Sequence, residues 1–121
     1  MRKIVTLILI IFVILSMTAC GVENEYSEDL TLIGDYQTNV EYNEYLGWSV
    51  EIIGTLKNTS GKDLSFASIE FSLYDESGNV IDTAYDNISS IKEGDTWRFK
   101  ATNFGIDKKP IKFEISDITC W

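Results

Sequence analysis

The chain has no histidine. That absence removes the imidazole base of Ser-His-Asp and Cys-His nucleophilic sites, and with it any imidazole-ligated zinc. The two cysteines, Cys20 and Cys120, lie too far apart in sequence for a CxxC pair. Pro110 is the one proline, so turns elsewhere must be made by Gly, Asn, Asp and Ser. Positive charge is scarce: 10 Lys and Arg stand against 19 Asp and Glu, for a net charge of −9. Nucleic-acid binding needs clustered Lys and Arg and is excluded on that ground. No glycine-rich phosphate loop occurs. Carboxylates are numerous enough to pair for glycoside hydrolysis, but none interrupts an apolar alternation as a buried catalytic acid would. The sequence therefore points to a protein that is not an enzyme and uses no cofactor.

What is present begins with the first twenty residues. Arg2 and Lys3 precede an apolar run over residues 4–15 that only Thr6 interrupts, followed by Ser16, Met17, Thr18, Ala19 and Cys20. A positive start, an apolar stretch and a small-residue exit make a secretory signal. The run is shorter than the roughly 20 apolar residues of a transmembrane helix. Met17-Thr18-Ala19-Cys20 resembles the lipobox of bacterial lipoproteins, with apolar Met17 where that family usually has Leu. The resemblance implies a diacylglyceryl thioether on Cys20 and cleavage between Ala19 and Cys20. It also implies anchorage to the cell membrane at its extracytoplasmic face. Two acyl chains suffice for stable anchoring, where one is marginal. The alternative is an ordinary or uncleaved signal that leaves Cys20 a thiol, although Thr18-Ala19 is only half of a small-x-small site.

The chain then divides into a signal peptide (1–19), a lipidated acidic tether (20–29) and one domain (30–121). Removing residues 1–19 takes away Arg2 and Lys3 and no acid, so the side-chain charge moves from −9 to −11. Such a chain should not lie flat on an anionic lipid surface. If Cys20 is lipidated, Cys120 has no partner within the chain. It is then either a small buried apolar residue or half of an intermolecular bridge.

From Leu30 onward the pattern is that of short strands. Leu30, Thr31, Leu32 and Ile33 form a first candidate, and residues 39–44 are polar and ambiguous. Trp48, Val50, Ile52, Gly54 and Leu56 share one face of an alternating run that Ile53 disturbs. Residues 58–63 are a turn cluster. Ala67, Ile69, Phe71 and Leu73 alternate with Ser68, Glu70, Ser72 and Tyr74, as in a half-buried strand. The step from Phe66 to Ala67 shifts the phase and marks a bulge or a change of face. A turn at residues 75–79 makes residues 71–85 a hairpin, and a second turn falls at Glu93, Gly94 and Asp95. Trp97, Phe99 and Ala101 then alternate with Arg98, Lys100 and Thr102. Residues 105–110 read as a loop. Ile111, Phe113 and Ile115 lie in a last strand that Ile118 and Cys120 extend after a slip at Asp117. The expected fold is all-β, an immunoglobulin-like β-sandwich of about seven short strands.

Between residues 46 and 104 the sequence resembles the FxLYD domain. The name-giving motif is matched by Phe71, Leu73, Tyr74 and Asp75. Gly54, Asn58, Gly78, Asn87, Gly94, Trp97 and Phe99 follow in order around it. The resemblance implies an immunoglobulin-like sandwich, often carried on bacterial lipoproteins or surface proteins, whose molecular role is generally not established. The residues have a physical reading of their own. Phe71 and Leu73 face inward, and Tyr74 faces out with a hydroxyl able to find a partner. Asp75 caps the turn, and Gly78 and Gly94 supply positive φ. Trp97 and Phe99 share one face of the strand after the Gly94 turn.

Three functions fit. The first is a lipid-tethered binding module whose partner is an envelope protein or cell-wall polymer, with outward Tyr36, Tyr42, Tyr45 and Tyr85 as contacts. The second is a passive accessory with a uniformly polar surface. The third is calcium-dependent adhesion through Asp75, Glu76, Ser77, Asn79, Asp82 and Asp86, which lack EF-hand spacing. Asn58-Thr59-Ser60 and Asn87-Ile88-Ser89 match glycosylation acceptors but read as turn residues. Thermal melting separates the third function from the others, because a ligand bound only by the folded state raises its melting temperature. The expected result is an unchanged melting temperature in millimolar calcium; a rise would support adhesion.

Overall fold

The computed structural model describes residues 29–121, and every regular element among them is a β-strand. The strands are β1 (Leu30–Leu32), β2 (Gln37–Asn43), β3 (Gly47–Asn58), β4 (Ala67–Tyr74), β5 (Val80–Ile88), β6 (Thr96–Ile106) and β7 (Lys112–Cys120). All pairings are antiparallel, in the order β1-β3-β6-β5-β4-β7, with β2 sharing one edge of β3 with β1. β5 and β6 meet only at Tyr85 and Thr102. The sheet thus curls into a half-barrel whose two layers, β1-β2-β3-β6 and β4-β5-β7, face each other like a sandwich. The expected signal peptide, and all of the expected tether but Asp29, lie outside the described residues.

Two hairpins, β2–β3 and β4–β5, stay within a layer, while residues 59–66, 89–95 and 107–111 cross between layers. Register places residues 44–46, 75–79 and 107–111 at one end of the molecule. The opposite end holds residues 59–66 and 89–95, together with Asp29, whose carbonyl accepts from the Thr59 amide, and Trp121, whose carbonyl accepts from Ser65 and Phe66.

The alternation read from the sequence is the alternation of burial. Val50, Ile52 and Leu56 of β3 and Trp97, Phe99 and Ala101 of β6 face Ile69, Phe71 and Leu73 of β4 across the core. Phe71 and Phe99 are fully buried with ring centroids 5.9 Å apart. Each such ring contributes about 1.5–3 kcal/mol by leaving water. Gly54 sits opposite Phe99, and a Cβ there would stand 2.6 Å from the Phe99 ring and 3.0 Å from Cβ of Tyr36. Its place on the inward face is filled by its neighbours' rings.

Several expectations are revised. The ambiguous stretch at residues 39–44 is largely β2, an edge strand in which only Val40 is half-buried, so no inner face announced it. β6 runs on to Ile106, into the expected loop. The slip in β7 falls at Ser116, because Glu70 pairs with Asp117 and Phe71 with Ile115. Phe66 precedes β4 and stacks on Trp121 at 4.6 Å, which explains the change of phase. Cys120 is buried as expected but is also disulfide-bonded, so the expectation of a residue without a partner is corrected.

Asn58 is the largest departure. It belongs to β3 and is 1% exposed. Its Nδ2 donates to the carbonyls of Lys62 and Ile91, both at 2.9 Å, and its Oδ1 accepts from the Ser60 amide and hydroxyl. Its backbone amide donates to Asp95 and its carbonyl accepts from Gly94. Every polar group of the residue is satisfied, and neither the buried amide nor its place in β3 resembles a glycosylation acceptor.

Two substitutions test this packing by urea denaturation. Asn58→Ala removes four side-chain hydrogen bonds at a buried position and should lower stability by about 3 kcal/mol. Gly54→Ala overpacks the core and should cost about 1–3 kcal/mol. Asn87→Ala, on an exposed position of β5, should change stability by less than about 0.5 kcal/mol.

Candidate functional site

The residues of the FxLYD-like motif are distributed through the fold and do not converge on a site. Phe71, Leu73, Trp97 and Phe99 are core residues, and Trp97 packs edge-on to Phe99 with centroids 6.1 Å apart. Tyr74 is half-buried on the outer face of β4. Its hydroxyl donates to Glu114 Oε1 at 3.1 Å, and Lys112 Nζ lies 5.1 Å from its ring centroid. Gly94 has φ +81° at the third position of the turn spanning residues 92–95, closed by the Asp95 amide donating to the Lys92 carbonyl. A type II turn requires positive φ there.

Asp75 organises the β4–β5 turn. Its Oδ1 accepts from the amides of Ser77 and Asn79, and Gly78 passes through φ +86°. Lys108 Nζ lies 3.7 Å from Oδ2. The Asn79 amide, followed by the Ser77 amide and Lys108, holds the carboxyl below its ordinary 3.8, although partial desolvation opposes them. Two of the other carboxylates weighed for calcium, Asp82 and Asp86, are engaged elsewhere. Asp82 Oδ1 accepts from Asn103 Nδ2, and Asp86 Oδ2 accepts from the Lys100 amide. Among the described residues no group of three or more His, Cys, Asp and Glu is arranged to hold a metal ion.

The outward tyrosines separate into two kinds. Tyr36 is not an outward contact. It is half-buried, with its ring edge-on to Phe71 at 4.9 Å and its hydroxyl donating to the Phe113 carbonyl on the free edge of β7. It bridges the layers where no strands pair, and burial, followed by Glu114 and Asp35, raises its hydroxyl pKa. Tyr42 and Tyr45 are 61% and 84% exposed, and Tyr85 is exposed on β5.

Sequence reasoning missed the neighbours of Tyr42 and Tyr45. Leu46, Val80, Phe104 and Ile111 are also exposed and lie at or near the same end of the molecule. There Tyr42 packs on half-buried Trp48 at 4.9 Å across the β2–β3 ladder, and Lys109 Nζ stands 5.6 Å from the Trp48 ring. Beside them runs a shallow groove lined by Asp75, Glu76, Ser77, Lys108, Lys109 and Ile111. The signal in the sequence was apolar residues placed in turns and at strand ends, where alternation gives them no core to face. Their grouping required the register of three separate connections.

Comparison with known proteins finds no matching family model, no similar curated protein and no similar solved structure.

Asp75 gives a signed pH dependence. Because its folded pKa is lowered, its contribution to stability is present above the ordinary 3.8 and is lost as pH falls through the folded value. Urea midpoints at neutral pH and near pH 3 should show Asp75→Asn below wild type at neutral pH, with a smaller further loss in acid. Parallel losses in the two proteins would remove Asp75 as a source of the acid dependence.

Proposed function

We propose that the chain is an exported lipoprotein, anchored through a lipid on Cys20 at the extracytoplasmic face of the cell membrane. In this reading it displays a non-catalytic, immunoglobulin-like FxLYD-type binding module. The observation that carries the reading is Met17-Thr18-Ala19-Cys20 at the exit of a short apolar run behind Arg2 and Lys3. An acidic tether and an all-β domain then follow, which is the order an anchored module needs. The gathering of Tyr42, Tyr45, Leu46 and Ile111 at one end favours binding over a passive role, since a passive accessory calls for a uniformly polar surface. The partner is an envelope protein or a cell-wall polymer.

One observation favours a second reading. Cys120 is disulfide-bonded, and Cys20 is the only other cysteine in the sequence. A sulfur in a thioether cannot also form a disulfide, so a bridge between the two would make the protein an exported domain without a lipid. Membrane fractionation of the native protein beside Cys20→Ala tests the anchor. Wild type in the membrane fraction and the variant in the soluble fraction is the expected result; wild type in the soluble fraction rejects the anchor.

A further inference from the structure

Resting on the anchored reading, we infer that the domain stands on the membrane by the end from which its chain emerges, with Trp121 seated in the headgroup layer of a zwitterionic bilayer. Three observations carry this. First, Asp29 leaves the fold beside Thr59, at the same end as Trp121. Residues 21–29 can span at most about 30 Å when fully extended. β3, with 12 residues, is about 40 Å long. The tether is therefore shorter than the domain, and the end that bears Tyr45 and Leu46 cannot turn down to the bilayer. Second, Trp121 is 64% exposed yet held in place. Its ring stacks on Phe66, and its backbone amide and carbonyl are bonded to the 59–66 connection. An indole with an apolar body and a polar N–H suits the membrane interface. Third, the charges at this end are mixed, with Lys57, Lys62 and Lys92 beside Asp29, Asp63, Glu93 and Asp95. A mixed end of this kind tolerates a zwitterionic surface.

The three tryptophans make the orientation measurable. Trp97 is buried in the core, Trp48 is half-buried at the far end, and Trp121 is exposed at the exit end. The acylated full-length protein would be reconstituted into phosphatidylcholine vesicles doped with a headgroup spin-labelled lipid, which quenches nearby indoles. Trp121→Phe keeps the backbone bonds and the ring stack, so the fold is retained. The expected result is co-flotation with vesicles and quenching that disappears in Trp121→Phe but persists in Trp48→Phe. Protein that floats but shows no quenching, or quenching lost in Trp48→Phe instead, overturns the orientation and leaves the anchor standing. Protein that does not float overturns the anchor, and the orientation falls with it.

Discussion

A two-layered sheet must carry its chain from one layer to the other, and each crossing leaves backbone groups near the core without a strand partner. At the end where the chain enters the fold, Asn58 adds bonds to those groups beside the Leu64–Ile91 bridge. One carboxamide joins the 59–66 connection to residues 89–95, and the backbone of the same residue closes against Gly94 and Asp95. β1 registers on this point, since Leu30 pairs with Asn58. The two layers share one ladder pair at the β5–β6 seam, so their relative placement depends on the core rings, on the side-chain bonds of Asp82, Asp86 and Asn103 across that seam, on Tyr36 and on this bracket. A buried polar group stabilises only when fully satisfied. Asn58 meets that condition with both amide hydrogens and both oxygen lone pairs engaged.

The strands with one buried face were legible because alternation is a direct record of burial. β3, β4 and β6 have Val50, Ile52, Phe71, Leu73, Trp97 and Phe99 where period two places them. Elements that lack an inner face left no such record. β2 is an exposed edge, and its pairing with β3 is visible only in three dimensions. Asn58 was hidden for a different reason: Asn is a common turn residue, and nothing local shows that its side chain turns inward. Tyr36 was misplaced because its partner, the Phe113 carbonyl, is far along the sequence on a different edge. The aromatic end was only partly visible, because Tyr42 and Tyr45 lie three positions apart in sequence whereas Phe104 and Ile111 reach that end through other strands.

The chemistry of the surface follows from the same accounting. Without histidine, and with Asp75, Asp82 and Asp86 committed to backbone amides and Asn103, the acidic side chains of the hairpin serve turns and seams. Most of the exposed apolar groups, Tyr42, Tyr45, Leu46, Val80, Phe104 and Ile111, collect at the end of the domain away from Asp29, while Trp121 stands exposed beside it. Under the anchored reading proposed above, a tether and a contact surface at opposite ends form a consistent arrangement for a module that reaches outward from a membrane.

The central claim concerns the Cys20 sulfur, because location, orientation and the outward end all depend on it. The most direct test is the intact mass of the native protein, measured before and after reduction. A chain beginning at Cys20 with the added mass of a diacylglyceryl group, unchanged at that residue by reduction, is the predicted result. An unacylated chain that gains two hydrogens on reduction, with Cys20 bridged to Cys120, would contradict the account.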